Sequence, residues 1–324
     1  MKKLIPLILI SIFVASCDIF IALALDDNLP IEEDFLSVVN TDGSNYNKLI
    51  TSYFYGDPIF THNEDEIIYL RNGVFWKVDI QYPLADDILT FNGVEDGYFS
   101  ISPIDDSFVF SDRSNTFIYN YETEILTNLT ENNQEGSYRY PSYSPDGTQI
   151  ILFATTYSDS SYFRSISSID LTNYTINNIL MLDSYIRFPT YSQDMTKIFY
   201  KKISNLYMYD IESSSCEIIA SSNYDDRIST GGDYVVFSES SIIYTYNFVT
   251  NDLIELVEGD DPRIASDGSK LIFGNYDSNF DYHLYKINID GTEKVKHKKI
   301  SENDYSFSMS AEKITYIRHK VTHD

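Results

Sequence analysis

Carboxylates recur along the chain at intervals of roughly 40 residues, each just ahead of a segment with the apolar pattern of a β-strand. They are Asp57, Asp96, Glu135, Asp183, Asp226, Asp261 and Asp304. If these are equivalent positions of one repeat, they form an acidic ring on one face of the molecule, which would concentrate cations or basic segments. Asp and Glu beside Gly or Pro are also ordinary turn residues. Both interpretations stay open at the level of sequence.

The repeat itself is clearest in "PSYSPDGTQIILF" at 141–153. An Asp-Gly turn followed by an apolar run predicts a β-hairpin. Related segments follow one another at about 41 residues, the length of one β-propeller blade. They lie at 58–70, 98–110, 189–200, 227–237, 262–273 and 305–317.

A second, weaker pair of strands lies between successive hairpins, for example at 116–130 and 205–220. Each repeat therefore holds four short strands, which predicts an all-β propeller of four-stranded blades. Seven inner and seven outer pairs favour seven blades, with six as the alternative. The outer pair at 35–50 and the inner pair at 305–320 should share one sheet, so that the ring closes without an open edge.

The turn Ser144-Pro145-Asp146-Gly147, with Pro141 before it and Ile150 to Phe153 after it, resembles the TolB-type β-propeller repeat. The resemblance covers residues 35–320, although this copy alone carries the full motif. Partial copies are Ser102-Pro103, Ser192-Gln193-Asp194 and Ser266-Asp267-Gly268. TolB proteins resemble six-bladed propellers with an additional N-terminal domain, so the resemblance implies six blades where the repeat count favours seven.

The first residues resemble a bacterial lipoprotein signal: Lys2 and Lys3, an apolar run over 4–14, and small residues ahead of Cys17. The resemblance implies removal of 1–16 and acylation of Cys17, followed by an anchor and tether over 17–34 and one propeller domain over 35–324. The expected location is the membrane surface, on the periplasmic or cell-surface side. An uncleaved apolar span over 4–25 and ordinary secretion are the alternatives.

The net charge and the absence of familiar catalytic motifs exclude several classes of function. The formal net charge of −26 argues against nucleic acid as a partner. The chain contains no G-x-S-x-G, H-E-x-x-H, C-x-x-C or P-loop sequence, so we expect no enzyme of those classes. The two cysteines predict no disulfide, and no cofactor or metal is expected unless carboxylates bind calcium. The basic run "KVKHKKI" at 294–300 is either a solvated strand or a lipid headgroup contact.

Two connections are longer than the rest, at 155–165 and 274–283, and should lie on the face that carries the carboxylates. Both connections are rich in aromatic residues, and one contains an Arg; such side chains often anchor protein interfaces, although they also pack on ordinary surfaces. The candidate interface residues are Tyr157, Tyr162, Phe163, Arg164, Tyr276, Phe280 and Tyr282.

These features favour a monomeric, lipid-anchored propeller that binds an envelope protein or peptide, and the acidic charge of the chain favours a basic one. A receptor for a small ligand or for calcium is the alternative. A lyase or glycosidase with paired carboxylates in the channel is a third hypothesis.

Overall fold

A computed structural model of the chain describes residues 32–40, 47–51, 55–71, 73–83, 86–89, 98–112, 114–131, 136–158, 161–222, 227–279, 282–299, 307–309 and 313–321. Every regular element in these ranges is a β-strand. Within them the strands form seven antiparallel sheets of four strands each.

The strands of each sheet are ordered from the centre of the ring outwards. The innermost strands are β3 (Tyr55–Phe60), β7 (Phe99–Ile101), β11 (Gly136–Tyr143), β15 (Arg187–Tyr191), β19 (Ser229–Gly231), β23 (Asp260–Ile264) and β27 (Phe307–Met309). The second strands are β4 (Glu66–Arg71), β8 (Ser107–Ser111), β12 (Gln149–Ser158), β16 (Lys197–Lys202), β20 (Tyr234–Glu239), β24 (Lys270–Tyr276) and β28 (Lys313–Val321).

The third strands are β5 (Val74–Asp79), β9 (Thr116–Asn120), β13 (Ser161–Asp170), β17 (Asn205–Asp210), β21 (Ile242–Asn247), β25 (Tyr282–Asn288) and β1 (Glu32–Asn40). The outermost strands are β6 (Asp86–Leu89), β10 (Ile125–Asn128), β14 (Ile176–Leu182), β18 (Ser215–Ser221), β22 (Asp252–Glu258), β26 (Val295–Lys299) and β2 (Asn47–Thr51).

Burial follows this radial order. The second strands are continuous apolar runs, and the four central residues of β4, β16 and β20 are all buried because the sheet is covered on both faces. The outermost strands β18 and β22 begin with four exposed residues. The core therefore lies between neighbouring sheets, not inside any one of them.

Seven hydrophobic clusters each join two neighbouring sheets and so close the ring. In one, Phe75 of β5 packs edge-on against Phe99 of β7, with ring centroids 5.0 Å apart. In another, Phe199 and Met208 meet Phe237 of the next sheet. The remaining five clusters join the other neighbours in the same way. The arrangement confirms the prediction of a β-propeller made of four-stranded blades.

The ring closes between the two ends of the chain. Strand β1 pairs with β28 over nine positions, from Glu32 opposite Val321 to Asn40 opposite Lys313. Leu36 and Ile314 are fully buried at this junction. The predicted sheet shared by 35–50 and 305–320 is thereby confirmed.

Two opposite faces of the ring follow from this topology. The turn face carries the hairpins between first and second strands, such as Ser144–Gly147. There the Ser144 hydroxyl donates to Asp146 Oδ1 at 2.7 Å, and the Gln149 N–H donates to Ser144 Oγ at 3.0 Å. The crossing face is the opposite one, where the chain passes from the outermost strand of one sheet to the innermost strand of the next.

Candidate functional site

A cavity of about 490 Å³ occupies the central channel, and it is lined by the innermost strands of five sheets and by Ser266 from a turn of a sixth. It extends from residues at the turn face, such as Pro145, Gln193 and Ser266, to Tyr98, Tyr140 and Phe188 nearer the crossing face. We call this space the channel cavity. Its volume lies in the range of small-molecule and peptide pockets.

Hydroxyl groups line the wall of the channel cavity. Ser100, Ser142 and Thr190 occupy equivalent positions of β7, β11 and β15, because each lies opposite the third residue of its second strand, and Thr230 lies one position further along β19. None of the described lining residues carries a charge. The wall therefore offers hydrogen bonds to a neutral polar group and would desolvate a charged one at a cost.

Three aromatic rings from consecutive sheets meet at the far end of the channel cavity. Tyr98 and Tyr140 pack edge-on with centroids 5.0 Å apart, and Tyr98 and Phe188 lie 5.2 Å apart. Tyr98 and Phe188 belong to sheets that are not neighbours, so their rings must project toward the channel axis. The Tyr185 hydroxyl donates to Tyr140 at 3.1 Å. Burial first, and then this hydrogen bond, raise the pKa of Tyr140 above its ordinary value, so the Tyr140 phenol stays neutral.

Arg227 completes this barrier from the other side. Its guanidinium carbon lies 4.6 Å from the centroid of Tyr98, although Arg227 precedes β19 and Tyr98 precedes β7. Their sheets are three steps apart around a ring of seven described sheets, which is the largest separation such a ring allows. Side chains so placed touch only by meeting near the axis. The channel cavity is therefore blocked at this level, and it extends from there to the turn face.

Comparisons with solved structures place this architecture. A protein assigned as TolB from Agrobacterium tumefaciens superposes with a TM-score of 0.56 and 13% identity, over 90% of this chain and 100% of that one. The fold is a TolB-like β-propeller.

Two oligogalacturonate lyases share the fold as well. One, in complex with manganese, has a TM-score of 0.61 and 13% identity, over 92% of this chain and 99% of that one. The other, from Vibrio parahaemolyticus, has a TM-score of 0.61 and 14% identity, over 89% of this chain and 97% of that one. No protein-family model and no curated protein sequence matches this chain. At these identities the likeness shows the fold alone.

The innermost strands of the TolB-like propeller contain a recurrent backbone feature beside the cavity. Tyr140, Phe188 and Asp261 have φ angles of 55°, 53° and 52°, and each precedes a proline at a bulge of its strand. A left-handed conformation is costly for such residues and needs support from the surrounding structure. The bulges turn the Tyr140 and Phe188 rings into the channel. Sequence reasoning missed this role, although the repeated X-Pro step at 140–141, 188–189 and 261–262 was a readable signal.

Of the seven predicted crossing carboxylates, the structure describes the side chains of Asp183 and Asp261. Asp261 forms a two-pronged ion pair with Arg263, at 2.6 and 3.1 Å, and both side chains are largely buried. Asp183 is 78% exposed and pairs with Lys202 at 2.6 Å. That hydrogen bond and the charge of Lys202 hold the pKa of Asp183 below its ordinary value.

The other five lie outside the described residues or side chains: Asp57, Asp96, Glu135, Asp226 and Asp304. The acidic ring therefore stays a prediction. Asp183 and Asp261 each have a cationic partner, in a neighbouring sheet and in the same strand, respectively. These ion pairs are compatible with a role in the turn and with a role in ligand binding.

The predicted aromatic connections divide into an exposed group and a buried residue. Tyr157, Tyr162 and Phe163 are 44%, 68% and 45% exposed, and Arg164 beside them is half-buried. Tyr276 is 40% exposed, whereas Tyr282 is buried against Ile272, Leu284, Phe307 and Ile314. Tyr282 thus belongs to the core between two sheets and cannot anchor a partner. Phe280 lies outside the described residues.

Other predicted features have plain structural positions. Cys216 is an exposed thiol on β18, as expected for a residue of a strand. Within the described ranges no group of His, Cys, Asp and Glu is arranged to hold a metal ion. In those same ranges no helix has the length and apolar character to cross a membrane.

Proposed function

We propose that this TolB-like propeller is a binding module that holds an extended segment of an envelope protein in its channel cavity. The observation that carries the proposal is the shape of the cavity, which begins at the turn face and is blocked by Tyr98 and Arg227. A blind cavity of this volume suits the end or a short loop of a chain.

The lining selects the chemistry of that segment. The hydroxyl oxygens of Ser142, Thr190 and Thr230 suit the N–H groups of an extended peptide as acceptors, because each hydroxyl donates its own proton to a backbone carbonyl of the propeller. The rings of Tyr98, Tyr140 and Phe188 offer an apolar end wall for one aromatic or aliphatic side chain. The portion inside the cavity should therefore be uncharged.

Charge acts at longer range. A net charge of −26 favours a partner whose remaining surface is basic, because an acidic protein attracts it during encounter. The association rate should then fall as salt is added, since exposed charges are screened over about 8–10 Å at ordinary ionic strength.

The location belongs to the same proposal. The signal-like segment that ends at Cys17 supports a lipid-anchored protein of the bacterial envelope. Residues 17–31, ahead of β1, then tether the propeller to the membrane.

The other two hypotheses receive less support from the cavity. Calcium needs several oxygen ligands with negative charge, and a lyase or glycosidase needs acid and base groups. The described lining holds no carboxylate, and the nearby Asp261 is committed to Arg263. A calcium titration followed by calorimetry distinguishes the receptor from the peptide-binding module.

Site-specific photo-crosslinking in intact envelopes tests the proposal. A photoreactive residue at Gln193, at the turn-face end of the cavity, should capture one protein, and Ser142→Phe should abolish the capture by filling the cavity. The matched control places the same group at Glu217, which is exposed on β18 and distant from the channel. Equal capture from both positions, or capture that survives Ser142→Phe in a folded protein, would contradict the proposal.

A further inference from the structure

One hairpin of the propeller is longer than its counterparts. Strands β12 and β13 pair over ten positions, from Gln149 opposite Asp170 to Ser158 opposite Ser161. The corresponding hairpins β16–β17 and β20–β21 pair over six positions each. At about 3.3 Å per residue, four additional pairs carry the tip about 13 Å further out on the crossing face.

The added length carries exposed aromatic side chains on both of its faces, among polar residues. Tyr157 and Tyr162 lie opposite each other with ring centroids 5.0 Å apart, and they are 44% and 68% exposed. Phe163 lies on the other face, since side chains alternate along a strand. Met181, which is 54% exposed, pairs with Ser165 and so lies on the same sheet face as Phe163. We call Tyr157, Tyr162, Phe163 and Met181 the apolar tip.

The N-terminal segment leaves the propeller on this same face. Glu32, the first residue of β1, pairs with Val321 at the end of β28. Because β28 is a second strand, its end lies on the crossing face, as does the end of β12. Residues 17–31 therefore begin from the face that carries the apolar tip. Fifteen residues reach at most about 50 Å when fully extended, so a membrane-bound Cys17 allows this face to contact the lipid.

We infer that the apolar tip inserts into the membrane interface and fixes the propeller with its crossing face toward the bilayer. The inference rests on the proposed lipid anchor at Cys17. It deepens the proposed function, because the channel cavity then faces away from the membrane and toward a partner. Tyr side chains are enriched where proteins meet lipid headgroups, because the apolar ring and the polar hydroxyl both find suitable surroundings there, and Phe is common on the apolar side of interfacial segments.

Lipid explains this surface better than a protein partner does. The tip exposes apolar side chains on both of its faces. Lipid would cover both faces when the tip enters the membrane interface, whereas a docked protein would cover only one of them. Arg164 is adjacent to Phe163 and suits a headgroup phosphate. Asp183, the residue directly after β14, already pairs with Lys202 and so does not repel that phosphate as a free charge.

Depth-dependent fluorescence quenching tests the orientation in the full-length, acylated protein. In a Cys216→Ser background, an environment-sensitive dye is attached at Ser161→Cys in the tip, or at Thr172→Cys on the turn face as the matched control. The proteins are reconstituted in vesicles of phosphatidylethanolamine and phosphatidylglycerol that contain nitroxide-labelled lipid. We expect several-fold stronger quenching at position 161 than at position 172.

A second variant identifies the apolar side chains as the cause. Tyr157→Ser, Tyr162→Ser and Phe163→Ser together should reduce quenching at position 161 to the level of position 172, with the far-ultraviolet spectrum unchanged. Equal quenching at both positions in an acylated protein would overturn the inference and leave the anchor intact. Shielding of position 161 that requires an added envelope extract would show a protein partner in place of lipid. A chain without an acyl group by mass spectrometry would overturn both the anchor and the inference.

Discussion

The guanidinium group of Arg227 and the ring of Tyr98 meet across the channel, with 4.6 Å between the guanidinium carbon and the ring centroid. The pair joins two sheets that no strand pairing connects. It sets the depth of the channel cavity and also couples opposite sides of the ring.

A double-mutant cycle should detect this pair. Arg227→Gln and Tyr98→Leu each remove the cation–π contact, so their effects on the free energy of unfolding should be less than additive by about 0.5–2 kcal/mol. Urea unfolding of the four proteins measures the coupling. Arg227 has further contacts, and the cycle separates those from its contact with Tyr98. Strict additivity would show that the two side chains do not stabilise each other.

Closure of the ring depends on Leu36. Its side chain is fully buried with Val38, Leu49 and Phe60 between the closing sheet and the next. Leu36→Ala should lower the free energy of unfolding by about 2–5 kcal/mol through lost burial and a cavity. The control Tyr82→Ala removes a side chain that is 72% exposed and should change it by less than about 0.5 kcal/mol. Similar losses for both variants would contradict a closure stabilised by this junction.

The turn of Ser144–Gly147 should make stability sensitive to acid. Partial burial opposes the effect, but hydrogen bonds from Ser144 and Thr148 outweigh it and lower the pKa of Asp146 below its ordinary value of 3.8. A carboxyl whose pKa is depressed on folding stabilises the protein above the unfolded value, and this stability is lost as the pH falls through the folded value.

Asp146→Asn removes that contribution. The variant should be less stable than the wild type near neutral pH, and the difference should shrink as the pH falls below 3.8. Denaturant unfolding at several pH values measures it. A difference that is constant with pH would show that charge on Asp146 does not stabilise the turn.

Acylation is predicted at Cys17. Metabolic labelling with a fatty acid should mark the wild-type protein and not Cys17→Ser. The Cys216→Ser variant is the matched control and should retain the label, because Cys216 lies on an outer strand of the propeller. Label that persists in Cys17→Ser would disprove the anchor.

Substitutions that remove charge but retain most of the side-chain shape test whether the predicted carboxylates at the crossings form an acidic ring. Replacing Asp57, Glu135, Asp226 and Asp304 with Asn or Gln keeps most turn chemistry and removes four negative charges. If the carboxylates surround the channel, calcium affinity measured by calorimetry should fall in the folded variant. Unchanged affinity would identify these residues as turn residues.

The fold could be predicted because it follows from local patterns. The apolar run Ile150 to Phe153 after an Asp-Gly turn specifies a hairpin wherever it occurs, and its recurrence specifies the blade. The closing sheet was predictable from the unpaired strands at 35–50.

The site was less predictable because it depends on how equivalent positions meet at the axis. Contact between Tyr98 and Arg227 follows from ring geometry and not from the 129 positions of sequence between them. Burial of Tyr282 likewise depends on Phe307 and Ile314 of the next sheet. Of the predicted interface aromatics, Tyr157, Tyr162 and Phe163 are therefore exposed, whereas Tyr282 is buried.

The pairing of β1 with β28 imposes an order on folding. Residue 36 is among the first parts of the propeller to be synthesised, and its partner at 317 is among the last. No intermediate length of nascent chain can complete the ring, so the edge of β1 that does not pair with β2 must remain unpaired until nearly all other strands exist. Contacts of such large sequence separation form slowly. A chaperone that shields this edge of β1 until β28 is synthesised would therefore increase the yield of native protein more than one that acts on the hairpin at 149–170.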